Sequence, residues 1–210
     1  MEGNKLNADI FNEPNDATPL SEEEKEGLIP SYISTREELN QAEQANIAKA
    51  HLWVFDRVRN PLDVVFLRKL HKEMFGEVWK WAGTYRKTER NIGVDSTQIQ
   101  LQLKQLIDET IFQIECQSYT ADEIAARFHH RLVYIHPFPN GNGRLSRMAT
   151  DLLLQHMGRE RFTWGAEDLE SKSEIRSRYI EALKAADQYD YSKLLAFVRS
   201  GKKDENKQKT

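Results

Sequence analysis

His136, Gly141, Gly143, Arg144 and Arg147 lie within twelve positions of one another and have the types and spacing to hold and attack a phosphate ester. If a helix starts just after the turn Pro139-Asn140-Gly141-Asn142-Gly143, its first turn carries amide N–H groups without partners, and its dipole favours negative charge there. Glycines at 141 and 143 have no side chain to keep a phosphate away from those amides, and they accept the dihedrals of a tight loop. Arg144 and Arg147, three residues apart, share a helix face on which their guanidinium forks can grip further phosphate oxygens. A di- or triphosphate suits such a trap better than a single carboxylate. His136, at the end of the preceding helix, carries an imidazole with an ordinary pKa of about 6.5, suited to taking a proton from an attacking hydroxyl. An isolated His-Pro would be read as a helix end; beside Gly-Asn-Gly-Arg and Arg147 it is read as a base. Of His129 and His130, one is expected to pack beside Phe128 and the other to face solvent or add to the basic face. With no His-Glu-x-x-His in the chain, they do not make a zinc motif.

These residues fall in a stretch from Ile124 to Thr150 that holds no Asp or Glu, in a chain that has 33 of them against 30 Lys and Arg. The net charge of −3 is unevenly placed. Acids crowd into residues 1–30, lysines into the last ten, and the body between is nearly neutral, which gives no footing for a direct nucleic-acid role. At 210 residues the chain is one domain with extensions, taking about 150 residues per domain. No apolar run approaches a membrane span, the opening MEGNKLNADIFNEPND lacks the apolar heart of a signal peptide, and Cys116 has no second cysteine to pair with. The expectation is a cytoplasmic protein without membrane contact.

The elements that must position the site are helices. Ser21 with Glu24 and Thr35 with Glu38 are capping boxes, the second opening a long helix through Val54. Val65, Leu67, Leu70 and Met74 recur at helical spacing after Pro61, Leu101 to Ile114 follows, and Thr120 opens a helix that Pro137 ends near His136. Leu145, Met148, Ala149, Leu152 and Leu153 form the inner face of the next, and 173–186 and 191–199 make two more. Tyr85 to Ile99 alone is strand-like, broken by Asn91-Ile92-Gly93, and is expected to form a small β-hairpin or an extended flap. The reading is an all-α fold: an arm over 1–17, a helical domain over 18–200 and a disordered lysine-rich tail over 201–210.

The run His136-Pro-Phe-Pro-Asn-Gly-Asn-Gly-Arg144-Leu-Ser-Arg147 resembles the signature of the Fic (Fic/Doc) family, HxFx[D/E]GNGRxxR. Trp81-Ala-Gly-Thr-Tyr-Arg86 and Asn91-Ile92-Gly93 resemble the approach to that family's flap. Phe162 to Gly165 and Gly27-Leu-Ile-Pro30 resemble the subgroup called mobile mystery protein B. The resemblance implies a single Fic-type helical domain that transfers AMP from ATP to a Tyr, Thr or Ser hydroxyl of a target protein, in the manner of the toxin-like half of a mobile-element module. It makes His136 the general base, and Gly141, Asn142, Gly143, Arg144 and Arg147 the phosphate ligands. It assigns Asn91, Ile92 and Gly93 to the flap that pins the target, and Tyr179 to the adenine pocket.

Asn140 departs from the pattern, standing where an acid usually holds the Mg²⁺ that bridges the phosphates, and a neutral amide oxygen is a poorer ligand for it. The alternatives are a Doc-like phosphotransferase and a non-catalytic nucleotide-binding module. Family members are restrained by a glutamate in an [S/T]xxxE[G/N] helix. Ser34 to Glu38 meets its first five positions, with Leu39 in place of Gly or Asn, and Ser177 to Glu181 meets them equally. Glu43 is a third candidate without a match. Glu38 is the internal candidate, and a separate inhibitor protein is the other route to silencing.

Overall fold

The computed structural model describes residues 8–11, 20–166 and 174–201. The rest of the arm, Ser173 and the tail from residue 202 lie outside the described residues. The described chain runs through α1 (Glu22–Lys25), α2 (Arg36–Phe55), α3 (Val64–Phe75), α4 (Ile99–Glu115), α5 (Ala121–Ile135), α6 (Asn142–His156), α7 (Glu174–Ala186) and α8 (Ser192–Val198). Short 3-10 turns stand at Ala8–Phe11, Ser96–Gln98 and Trp164–Ala166. The caps form as the sequence requires. Ser21 and Thr35 each accept from the amide three residues on while Glu24 and Glu38 bond back to the cap amides, and Asp63 and Thr120 open α3 and α5.

α5 and α6 form the centre, and the residues that seal them together, Leu132, Ile135, Leu145, Leu152 and Leu153, are wholly buried. Each such side chain contributes about 2 kcal/mol by leaving water. α4 covers one side of α5, α2 pairs with α3, and α7 with α8 close a second apolar cluster. There Ala125 and Ala126 let Phe162, Trp164, Tyr179 and Phe197 approach α5 closely. Within the segment expected to be an arm, Ile10 and Phe11 are buried against the main core, since two adjacent apolar side chains gain more there than in water.

Tyr85 to Gln98 does not form the expected hairpin. The segment is irregular, and among the described residues strand-type pairing is confined to Leu28 and Trp79, outside it. The reason lies in Arg86, whose buried guanidinium donates to the carbonyls of Thr88 (3.0 Å) and Val94, so a side chain occupies acceptors that a partner strand would have used. The strand-like run also ends early, because Asp95 caps the turn that leads into α4.

Candidate active site

α5 stops at Ile135, and His136 takes the left-handed conformation (φ 51°, ψ 59°), which turns the chain and its imidazole out of the helix axis. The ring is buried. Nδ1 is sealed from solvent without a full hydrogen bond, so Nε2 is the nitrogen that can meet a substrate. Burial, and next the charge of Arg86, lowers the His136 pKa to about 4 against the opposing pull of the Val133 carbonyl, with Arg90 adding the least. At neutral pH the group is an uncharged imidazole, the form a base needs.

The loop behind it is held at many points. Asn142 accepts from the Phe138 amide (2.9 Å) and donates to the Phe138 carbonyl (2.8 Å), so its side chain clamps the loop. Phe138 stacks on His71 of α3 at 3.9 Å between ring centroids. His71 accepts from the Gly83 amide at Nδ1 (2.9 Å), which fixes its proton on Nε2, and there it donates to the Asn140 carbonyl (3.0 Å). Burial brings its pKa down to about 3, so this tether is neutral.

Gly141 (φ 79°) lies against Phe75, where a Cβ would meet the ring at 2.5 Å. At Gly143 a Cβ would meet only the Arg147 Nη1 at 3.7 Å. The first glycine is required by the protein's own packing. The second faces open space, at the first turn of a helix that no side chain caps.

The two arginines sit differently. Arg144 lies over the Phe75 ring, bonds Glu43 of α2 at 2.6 Å and points Nη2 toward Asn140 Oδ1 at 3.4 Å. The other oxygen of Glu43 accepts from Trp79 Nε1 at 2.6 Å. Arg147 faces the Tyr179 hydroxyl, which bonds His129 Nε2 at 2.8 Å. Asp151, one turn further along α6, is pushed up to about 6 by burial, despite hydrogen bonds from Trp164 and Phe162.

Over the histidine lies the segment that contains Asn91, Ile92 and Gly93. The Gly93 backbone (φ 107°) comes so close that a Cβ would lie 2.8 Å from both His136 Cβ and Arg86 Nη2. Ile92 is exposed beside it. Arg90 of the same segment forms a largely buried ion pair with Glu24 of α1.

Residues 61–154 match the Fic/DOC family. The resemblance to the Fic/DOC family holds over that stretch, just under half of the chain. Over 132 residues it is 28% identical to the protein adenylyltransferase VbhT of Bartonella schoenbuchensis, covering 58% of this chain and 27% of that protein. Over 74 residues it is 35% identical to the protein adenylyltransferase Fic of Drosophila melanogaster, covering 35% of this chain and 14% of the other. The chain thus spans well under half the length of these relatives. The Fic domain of a VirB-translocated Bep effector from Bartonella quintana superposes with a TM-score of 0.66 at 19% identity, covering 90% of each chain. BepC of Bartonella tribocorum with bound AMPPNP superposes at 0.63 and 21% identity, covering 85% of this chain and 97% of that one. These two structures establish the all-α Fic fold.

Among the described residues the remaining candidates fall as follows. Glu38 is at the start of α2, half-buried, with its carboxylate accepting from the Ser34 and Thr35 amides (2.7 and 3.0 Å), and it reaches neither arginine. Tyr179 is buried beside Arg147, with its hydroxyl bonded to His129 Nε2. His129 and His130 are both buried, the latter bonded to Asp187 at 2.8 Å, so neither faces solvent. Asn140 Oδ1 accepts from the Gly141 amide. Among the described residues no group of three His, Cys, Asp or Glu is placed to hold a metal, and Glu43, paired on both oxygens, does not replace the missing acid. These residues do not fit a resident Mg²⁺.

Sequence reasoning passed over His71 and Arg86 as a contact residue, and named Glu43 only as a third inhibitory candidate, not as the shared partner of Arg144 and Trp79. A signal existed for two of them. His71 stands among Leu67, Leu70 and Met74, and Glu43 among Leu39, Asn46, Ala50 and Val54, polar groups on the buried stripe of their helices. No helix of the described residues is long and apolar enough to cross a membrane.

Proposed function

We propose that this Fic domain transfers AMP from ATP to a Tyr, Thr or Ser hydroxyl of a target protein. One observation carries the reading. A neutral imidazole with Nε2 outward stands beside an uncapped helix start, where Gly143 leaves open space in front of Arg147. The triphosphate lies over the amides of the first turn of α6, with Arg147 and Arg144 on its outer phosphates. His136 Nε2 takes the hydroxyl proton as that oxygen bonds to the α-phosphorus. The bond from the α-phosphorus to the bridging oxygen breaks, and pyrophosphate leaves with its electron pair. The segment around Asn91-Ile92-Gly93 presents its backbone edge to the target, with recognition through main-chain hydrogen bonds. Mg²⁺ arrives as part of the Mg·ATP substrate, since Asn140 gives it no charged ligand.

Within the same proposal the protein acts in the cytoplasm as the toxin-like half of a mobile-element module. A separate inhibitor silences it, because Glu38 is committed to its helix cap. Asn140 favours one other reading, a module that binds nucleotide without turning it over. Incubation with ATP labelled at the α or the γ position, for wild type, His136→Ala and Asn140→Asp, separates the cases. AMP transfer leaves only α label on protein, a Doc-like phosphotransferase leaves only γ label, and the non-catalytic module leaves neither.

A further inference from the structure

Arg86 has a burial and a set of partners that the transfer reaction as described does not use. Its side chain is fully enclosed, and the nearest carboxylate, Glu89, is at 4.0 Å and largely exposed. A buried guanidinium without a close acid must be solvated by dipoles. Here it is solvated by carbonyls from two places: Nε donates to His136 (2.7 Å), and Nη1 and Nη2 donate to Thr88 (3.0 Å) and Val94. Two backbone bonds run alongside, from the Arg86 amide to the Pro137 carbonyl (3.0 Å) and from the Val94 amide to the Ile135 carbonyl (3.4 Å). Both ends of the flap loop and the backbone of the base thus converge on one rigid fork. Gly93, at the crest, has room for nothing larger than hydrogen over that fork.

From this convergence we infer that Arg86 is a positioning residue that fixes the flap on His136, so that a hydroxyl presented by a chain lying along the flap arrives at Nε2. This rests on the proposed transferase reading for its purpose, though the tie itself is a matter of geometry. The same charge acts on the ring. The groups facing His136 are Arg86 and Arg90 from the flap, the latter paired with Glu24 of α1, and the Val133 carbonyl from α5. Loss of Arg86 removes one of the two cations that keep the imidazole unprotonated.

The test uses Arg86→Lys, which keeps the charge but not the fork, and Arg86→Met, which keeps neither. Three quantities are read on the full chain: amide hydrogen exchange over residues 88–95, titration of the His136 ring by NMR, and AMPPNP affinity by calorimetry. Exchange is expected to quicken by about tenfold or more in both variants, as the loss of a charge-assisted hydrogen bond implies. The His136 midpoint is expected to rise by about one pH unit in Arg86→Met, while staying near the wild-type value in Arg86→Lys. AMPPNP affinity is expected to hold within about threefold, since the phosphate trap lies on α6. A folded Arg86→Met protein with wild-type flap exchange and wild-type His136 titration overturns the inference. Should neither variant fold, Gly93→Ala decides, because its methyl displaces the fork from above. Faster flap exchange with AMPPNP binding retained supports the tie, and unchanged exchange refutes it. Wild-type protein that fails to bind AMPPNP counts against the transferase reading and leaves the flap result standing.

Discussion

From His136 to Asn142 the loop is fixed from every side by its own protein, whereas from Gly143 to Arg147 one face is left to something else. In the first part Asn142 clamps Phe138, His71 tethers Asn140, and Phe75 fills the space over Gly141. In the second, Gly143 opens on a gap bounded by Arg147, itself steadied from behind by Tyr179 and His129. Under the proposed function, rigid presentation of a base and reserved room for a ligand are different tasks, and neighbouring residues of one motif divide them. Two glycines that look equivalent in sequence therefore have opposite surroundings, one packed against Phe75 and one facing open space.

Substitutions can break this contrast. The largest effect is expected from His136→Ala, which should lower AMP transfer by about a hundredfold to ten-thousandfold while nucleotide affinity stays near wild type. Both are measured on the same preparation with labelled ATP and calorimetry. Next comes Glu43→Ala. It leaves Arg144 and the Trp79 indole without their shared carboxylate, and should cost about 3 kcal/mol of unfolding free energy in a urea titration. The glycine pair sharpens the comparison most. Gly141→Ala should lose about 2 kcal/mol of stability, from a positive φ and a clash with Phe75. Gly143→Ala should melt at or slightly above the wild-type temperature, since alanine favours a helix, yet bind AMPPNP about tenfold more weakly.

Acid probes the same division. His71, His129 and His136 have pKa values lowered to about 3, 3 and 4, chiefly by burial. The unfolded chain takes up those protons more readily, so stability falls as pH drops from about 6.5 toward 4. Asp151, raised to about 6, works in the opposite sense and stabilises the fold increasingly as pH falls from 6 to about 4. Three histidines outweigh one aspartate, and calorimetry should show a net loss of several kcal/mol between pH 7 and pH 5. The smallest effect is expected from Glu38→Ala, about 1 kcal/mol from a lost helix cap and no change in AMPPNP affinity.

What could be read from the sequence was local. Pro137 places the end of α5, Thr35 with Glu38 places the start of α2, and the Gly-Asn-Gly-Arg turn marks the start of α6. The remainder depends on partners far apart in the chain. His71 and Asn140 are 69 residues apart, Arg86 and His136 are 50, and Glu43 and Arg144 are 101. No periodicity carries such pairings. The expected hairpin failed for the same reason, since its carbonyls bond a guanidinium instead of a second strand.

The most direct measurement is the fate of the α-phosphate. Purified protein incubated with Mg²⁺, α-labelled or γ-labelled ATP and cell lysate should place the α label, and not the γ label, on a protein hydroxyl, and His136→Ala should abolish it. Label from the γ position alone, or no label with nucleotide demonstrably bound, would contradict AMP transfer.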